Sequence, residues 1–273
     1  MVARTSGRLG ALLTAAALTR VATAALRTRP PGGPARWTRT NYAGRKVALY
    51  AGPAAALGTA AGLAALPAAP RAAAASAVLV AGACGLYDDM AGQGDPRRGF
   101  RAHLSALRDG EVTSGAVKLF GVSAAGLVAG SLLKERPLDK VLAGVVIAGT
   151  AHLVNLVDVR PGRAGAVVLA LGAPGLARKG TGAVAAAAAM GAAAAVLPDD
   201  LGERAMIGDA GAHALGAALG SAIAAGNGRT GLAVHATALV AAAVCGDKIS
   251  SLAAYEGAAA SPRTYPRNPH PCG

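Results

Sequence analysis

Two adjacent carboxylates, Asp88 and Asp89, stand where a long apolar segment, residues 72–87, gives way to a charged one. Neighbouring acids repel each other and are costly at a membrane border, so such a pair often meets a metal ion or a phosphate-bearing substrate. Taken alone, the pair is explained more simply as a helix cap or the start of a solvated loop. Two further acidic motifs favour a chemical role.

The second motif covers residues 155–164 and carries Asp158 at the end of an apolar block. The third covers residues 206–216 and carries Asp209 where another apolar block begins. Hard oxygen ligands from separate helices are how magnesium is usually held beside a phosphate substrate. Glycines close to Asp209 would also let the backbone approach a diphosphate. The three motifs together predict a site for a metal ion and a phosphate ester.

The elements that must position these residues are predicted to be membrane helices. Of the 273 residues, 53% are hydrophobic and 15% are charged, whereas soluble domains carry about 25% charged residues. The apolar residues form blocks of about 17 to 21 residues, the length of a membrane-spanning helix. We therefore expect an all-α, multi-span membrane domain over residues 1–260 and a disordered Pro-rich tail over 261–273. The nine candidate spans lie at about 9–26, 47–66, 72–87, 115–133, 138–157, 164–177, 181–197, 210–226 and 230–246.

The net charge of +13 is distributed in the gaps between the apolar blocks. If the spans alternate, the gaps and the C-terminal tail on one side hold 16 Lys and Arg residues, and the gaps on the other side hold 7. The positive-inside rule makes the richer side cytoplasmic, and all three acidic motifs fall on it. Basic patches interleaved with aromatic residues are absent from the sequence, so nucleic acid is not an expected partner.

On these residues the sequence resembles the polyprenyl-phosphate N-acetylhexosamine-1-phosphate transferases, or glycosyltransferase family 4. The family's Gly-x-x-Asp-Asp, Asn-x-x-Asp-Gly-x-Asp-Gly and Met-Gly-Asp-x-Gly segments have counterparts here in the same order, within residues 41–220. The resemblance implies a helical bundle in the bacterial plasma membrane with a cytoplasmic, Mg²⁺-dependent site. It implies transfer of a phospho-sugar from a UDP-sugar to a polyprenyl phosphate, with release of UMP, in cell-wall glycan assembly.

The resemblance also assigns roles to individual residues. Asp209 would be the magnesium ligand. Asp88 and Asp89 would either orient the metal–diphosphate complex or take the proton of the acceptor phosphate, and Asp158 would act on the nucleotide-sugar side. The candidate substrate-binding residues are Asn41, Lys118 and Asn155 from the resemblance, Arg45 from its charge, and Gly208 and Gly211 because glycine permits a close backbone approach.

The sequence departs from the family pattern at two places. Pro161 replaces the second Asp of the middle motif, beside the positively charged Arg160, and the family's C-terminal His cluster is absent. His213 follows Asp209 by four residues and would share its helical face, so it either substitutes for that cluster or makes a helix contact.

Two alternatives remain open at this level. A catalytically weakened relative could keep the fold to bind lipid or partner proteins. A small-molecule transporter is the other class, although Arg20 and Lys118 are the only charged residues that lie inside the predicted spans away from their first residues. Membrane lipids are expected partners in every case, and the sequence leaves open whether the chain acts as a monomer or a homodimer.

Overall fold

The computed structural model of the chain describes residues 2–41, 43–95, 97 and 99–254. These residues form eleven α-helices, two short 3-10 turns and one two-stranded sheet. The predicted tail, 261–273, lies outside the described residues. The helices are α1 (Val2–Thr28), α2 (Ala51–Gly62), α3 (Ala68–Ala91), α4 (Gly99–Arg108), α5 (Ser114–Leu133), α6 (Pro137–Val157), α7 (Arg163–Ala177), α8 (Thr181–Leu201), α9 (Gly208–Gly226), α10 (Arg229–Val244) and α11 (Gly246–Ala254).

The central element of the bundle is α9. Residues 210–222 of this helix are all buried, and a helix that is apolar all round belongs inside a protein. Its glycines allow close crossings, because Gly211 lies against Gly52 of α2 and Gly216 lies against Ala151 of α6. Small residues at such positions let helix backbones approach each other. Helix α9 therefore packs against α2, α3, α6 and α8 and determines where their ends lie.

A β-hairpin precedes α2, where the sequence predicted the start of a span at residue 47. Strand β1 (Thr38–Thr40) pairs antiparallel with β2 (Lys46–Ala48). Asn41 shapes the connection, since its side-chain oxygen accepts the N–H groups of Ala43 and Arg45, a turn chemistry typical of Asn. The predicted span at 47–66 is thus divided into a strand, the 12-residue α2 and a 3-10 turn.

Five helices in the described part of the chain are long and apolar enough to cross a membrane; they belong to α1, α3, α5, α6 and α8. Helices α10 and α11 meet at a bend of 79° and would add a sixth span if counted together. Large apolar side chains such as Val21, Val128 and Val234 are exposed on the outside of the bundle, which soluble monomers rarely allow over wide areas. The all-α class and a membrane protein are supported, while the count of nine spans stays a prediction.

One end of the bundle collects the C-terminal ends of α3, α6 and α8, the N-terminal ends of α5 and α9, and the hairpin. Lys118 near the start of α5 contacts both Asp88 of α3 and Asp209 of α9. Asp200, near the end of α8, accepts the N–H of Gly162 that precedes α7. The three acidic motifs of the sequence therefore lie at the same end of the structure.

Gly85 allows α3 to cross α9 next to two of these motifs. A Cβ at this position would overlap the backbone of Asp209, so we expect Gly85→Ala to lower the free energy of unfolding by about 2 kcal/mol through overpacking. Titration with SDS in mixed micelles would measure the loss. Gly10→Ala is the control, because a Cβ there meets nothing within 4 Å; equal stability of the two variants would contradict the close crossing.

Candidate functional site

The centre of the site is a cluster of one lysine and two aspartates from three helices. The Nζ atom of Lys118 lies 2.5 Å from Oδ2 of Asp88 and also donates to Oδ2 of Asp209. The three side chains are only 15%, 17% and 27% exposed, respectively. Because charges interact more strongly away from water, the ammonium offsets the repulsion between the two carboxylates.

Asp89 has a different position from its neighbour in the sequence. Its two carboxylate oxygens accept the backbone N–H groups of Asp209 at 3.1 Å and of Ala210 at 3.0 Å. It therefore caps the N-terminus of α9, where a negative charge is favoured. Gly208 makes room for this cap, since it has a φ of 54° and a Cβ there would run into the Asp89 carboxylate. Both oxygens of Asp89 are engaged in holding Asp209 in place.

Arg39, on β1 of the hairpin, hydrogen-bonds the backbone of Asp89. Its Nη2 and Nε atoms donate to the carbonyl oxygen of Asp89 at 2.6 and 3.2 Å. A cation beside carbonyl groups at the end of a helix is also favoured by the helix dipole. The sequence interpretation missed this role, because the only signal was one arginine among the six positive charges of residues 27–46.

The cap makes a direct prediction for Asp89. We expect Asp89→Ala to lower the free energy of unfolding by about 2 kcal/mol, since two backbone donors at the start of α9 lose their acceptor. Asp89→Asn should lose less, because its amide oxygen can still accept one bond. The measurement is SDS titration beside Asp109→Ala, an exposed Asp at the same end of the bundle. Wild-type stability of Asp89→Ala would show that the cap contributes nothing.

A second group of polar residues lies around the turn between α6 and α7. It surrounds a small cavity of about 60 Å³ whose wall includes Asp158, Arg160 and Pro161. Asp200, in the last turn of α8, and Glu203, just after that helix, also line this cavity. Asp158 is the C-cap residue of α6, whereas Asn155 lies in the last turn of that helix, where its carbonyl oxygen accepts the N–H of Asp158.

Asp200 brings a buried carboxylate next to Pro161. Its Oδ2 lies 2.6 Å from the N–H of Gly162, the residue that follows Pro161, and the side chain is 4% exposed. The sequence interpretation did not single it out, although Asp199 and Asp200 repeat the pattern of an acidic pair at the end of an apolar helix. That repeat was the signal that could have found it.

The pKa of Asp158 is affected by these surroundings. Removal from water raises the pKa of the Asp158 carboxyl well above its usual range, and the charges of Asp200, Asp209 and Asp89 raise it further. Asp158 follows the C-terminal end of α6 and lines the same cavity as Asp200.

Three of the predicted substrate-binding residues make internal contacts. Asn41 donates to Glu203 at 2.7 Å, and Arg45 pairs with the same carboxylate at 3.2 Å. Gly211 faces Gly52 of α2, so its missing side chain serves helix packing instead of an approach to a diphosphate. Lys118 and Gly208 belong to the cluster and cap described above. The structure thus brings Lys118, Asp88 and Asp209 together. Gly208 leaves room for the Asp89 cap, and Gly211 allows α9 to pack closely against α2.

His213 lies inside the bundle, one turn from Asp209. Its Nδ1 atom is 2.8 Å from the carbonyl oxygen of Asp209, and its ring meets that of His152 edge-on with centroids 5.3 Å apart. The side chain is fully buried. Of the two roles that the sequence left open, this position matches the helix contact.

The donor set of the central cluster fits magnesium. Asp88 and Asp209 come from separate helices and already converge on one cation, the Lys118 ammonium. Among the described residues, groups of three or more His, Cys, Asp or Glu side chains that could hold a metal are absent. Mg²⁺ commonly uses one or two carboxylates and completes its shell with water and substrate phosphates. Asp88 and Asp209 would be those two ligands.

Comparisons of the chain with protein-family models and with curated proteins find no match. The function must therefore be inferred from the residues and geometry of the site.

Proposed function

We propose that the protein transfers a phospho-sugar from a UDP-N-acetylhexosamine-type donor to a polyprenyl phosphate and releases UMP, in a magnesium-dependent step of cell-envelope glycan assembly. One observation carries the proposal: Asp88 and Asp209, from distant parts of the sequence, converge on Lys118 at the bundle end that also holds Asp158. Carboxylates with an amine between them, at the border of long apolar helices, suit a reaction between two phosphate esters of which one is a lipid.

The reaction is a displacement at the β-phosphorus of the nucleotide sugar. An oxygen of the prenyl phosphate forms the new bond to that phosphorus, and the bond to the bridging oxygen breaks so that UMP leaves. Bound magnesium would neutralise charge on the phosphate oxygens. Asp88 and Asp209 would hold it, and Lys118 offers a positive charge next to the same oxygens. Asp89 acts indirectly, because its cap positions Asp209.

The nucleotide-sugar side is proposed to lie around the turn between α6 and α7. Asn155 and Asp158 provide polar groups there. Side-chain amide and carboxyl groups can hydrogen-bond a nucleobase or a sugar hydroxyl. Asp200 supports an intact site at this turn, since it supplies a carboxylate beside Pro161.

The membrane arrangement belongs to the same proposal. Nine spans in a bacterial plasma membrane, with the acidic end facing the cytoplasm, place the site where a soluble UDP-sugar and a membrane-bound prenyl phosphate can meet. The gaps and C-terminal tail on the proposed cytoplasmic side hold 16 basic residues against 7 in the gaps on the other side, which supports this orientation.

A catalytically weakened relative that binds lipid or partner proteins is the second candidate. The observation in its favour is the Lys118 ammonium, which pairs with both carboxylates and so stabilises them without a metal ion. The missing C-terminal His cluster points the same way.

Turnover by the purified protein distinguishes the two candidates. The full chain in detergent is given Mg²⁺, undecaprenyl or decaprenyl phosphate, and either UDP-N-acetylglucosamine or UDP-muramoyl pentapeptide. Release of UMP that requires both the prenyl phosphate and Mg²⁺ is the expected result. A folded protein that releases no UMP with any of these pairs would overturn the proposal and leave the weakened relative.

A further inference from the structure

A cavity of about 410 Å³ lies away from the acidic site, toward the opposite end of the bundle. Helices α7 and α10 form its two sides, and the face of α9 around Leu219 and Ala222 forms its floor. It reaches the connections at Arg178 and Asn227, which follow the C-terminal ends of α7 and α9. The acidic site lies at the N-terminal end of α9, so the two sites are separate.

The walls of the cavity suit a hydrocarbon chain. They consist mainly of Ala, Gly, Leu and Ile side chains, and Leu171 on α7 is 47% exposed. Pro174 on α7 and Ala238 on α10 are also exposed. Apolar residues that line a cavity and also reach the outer surface let a chain enter sideways between α7 and α10, from the lipid phase.

The mouth of the cavity is positively charged. Arg178 and Lys179 line it with exposed side chains, and none of the described lining residues is acidic. Arg8 of α1 adds a third cation next to them, since its Nη1 atom donates to the carbonyl oxygens of Leu176 at 2.5 Å and of Arg178 at 3.2 Å. An apolar cavity below a cationic mouth matches a molecule with a hydrocarbon chain and an anionic head.

We propose that this cavity binds an anionic membrane phospholipid, with one acyl chain between α7 and α10 and the phosphate at Arg178 and Lys179. The inference rests on the membrane placement in the proposed function but not on the transfer reaction. In that placement the mouth faces away from the cytoplasm, so the lipid belongs to the outer leaflet.

Native mass spectrometry of the full chain, exchanged into detergent with phosphatidylglycerol, phosphatidylcholine or undecaprenyl phosphate, tests the proposal. Each basic residue near a lipid surface contributes about 1 kcal/mol, so we expect about thirtyfold stronger retention of one phosphatidylglycerol than of phosphatidylcholine. The double variant Arg178→Gln with Lys179→Gln should lose this preference. Its matched control, Arg71→Gln with Lys140→Gln, removes two charges outside the cavity lining and should keep it.

A second pair of variants tests the apolar part of the site. Ala238→Phe puts a ring into the cavity and should reduce retention of both lipids, whereas Ala241→Phe, which does not line the cavity, should not. Equal retention of the two lipids by the wild type would overturn the proposal, as would a preference that survives neutralisation of Arg178 and Lys179. Selective retention of undecaprenyl phosphate in place of phosphatidylglycerol would also overturn it. Because neither UDP-sugar nor Mg²⁺ is added, inactivity in the transfer assay leaves this result unaffected.

Discussion

Asp209→Asn is expected to lower UMP release by about a thousandfold, equivalent to about 4 kcal/mol of transition-state stabilisation. The substitution keeps the shape of the side chain but removes a charged oxygen that converges with Asp88 on one cation. Backbone contacts of residue 209 with the Asp89 cap do not depend on its side chain, so the variant should remain folded. The measurement is the initial rate of UMP release at saturating Mg²⁺.

Asp109→Asn is the matched control for this prediction. It makes the same change at an exposed position on the same end of the bundle, and it should retain the wild-type rate. An Asp209→Asn variant that is folded and within about tenfold of the wild type would remove Asp209 from the metal-binding role, since a lost metal ligand costs several kcal/mol.

Lys118→Met should have the second large effect, which is a loss in the free energy of unfolding. Without the ammonium, the Asp88 and Asp209 carboxylates face each other in a largely enclosed site. Removing one partner of such a group costs about 3 kcal/mol because uncompensated charge is left behind. We expect this loss in EDTA, and we expect millimolar Mg²⁺ to restore much of it, because a divalent ion can replace the ammonium between the two carboxylates.

The comparison that matters is the stability difference with and without Mg²⁺. Lys140→Met, at the opposite end of the bundle, should show no such difference, and Lys118→Met combined with Asp209→Asn should recover stability in EDTA because only one charge remains. If Mg²⁺ leaves the stability of Lys118→Met unchanged, Asp88 and Asp209 do not form a cation site.

Much of the helical architecture could be predicted from the sequence, because apolar blocks of membrane-spanning length leave few alternatives to helices. Each of the nine predicted spans coincides with helical structure. The division of the 47–66 block was missed, since the alternation at Thr38–Thr40 and Lys46–Ala48 is too short to distinguish a hairpin from a loop. The length of the apolar block also gave no indication that α2 would have only 12 residues.

The acidic motifs could be identified from the sequence, but the different contacts of their individual aspartates could not. Asp88 and Asp89 are equivalent by spacing, and only the crossing of α3 over α9 turns one toward Lys118 and the other toward the N-terminus of α9. That crossing depends on Gly85, and its role cannot be predicted from the sequence because it comes from the contact with the backbone of Asp209. Asp200 was missed because its relation to Pro161 is set by the packing of α8 beside the turn after α6.

The fate of the β-phosphorus of the UDP-sugar tests the central claim most directly. The purified protein is supplied with UDP-N-acetylglucosamine or UDP-muramoyl pentapeptide labelled at the β-phosphate, together with Mg²⁺ and undecaprenyl phosphate, and the lipid and aqueous phases are separated. The proposed displacement predicts that the label moves into the lipid phase while unlabelled UMP appears in equal amount. Label retained in UDP beside a glycosylated lipid, or no labelled lipid from either donor, would contradict a phospho-sugar transferase site at Asp88, Lys118 and Asp209.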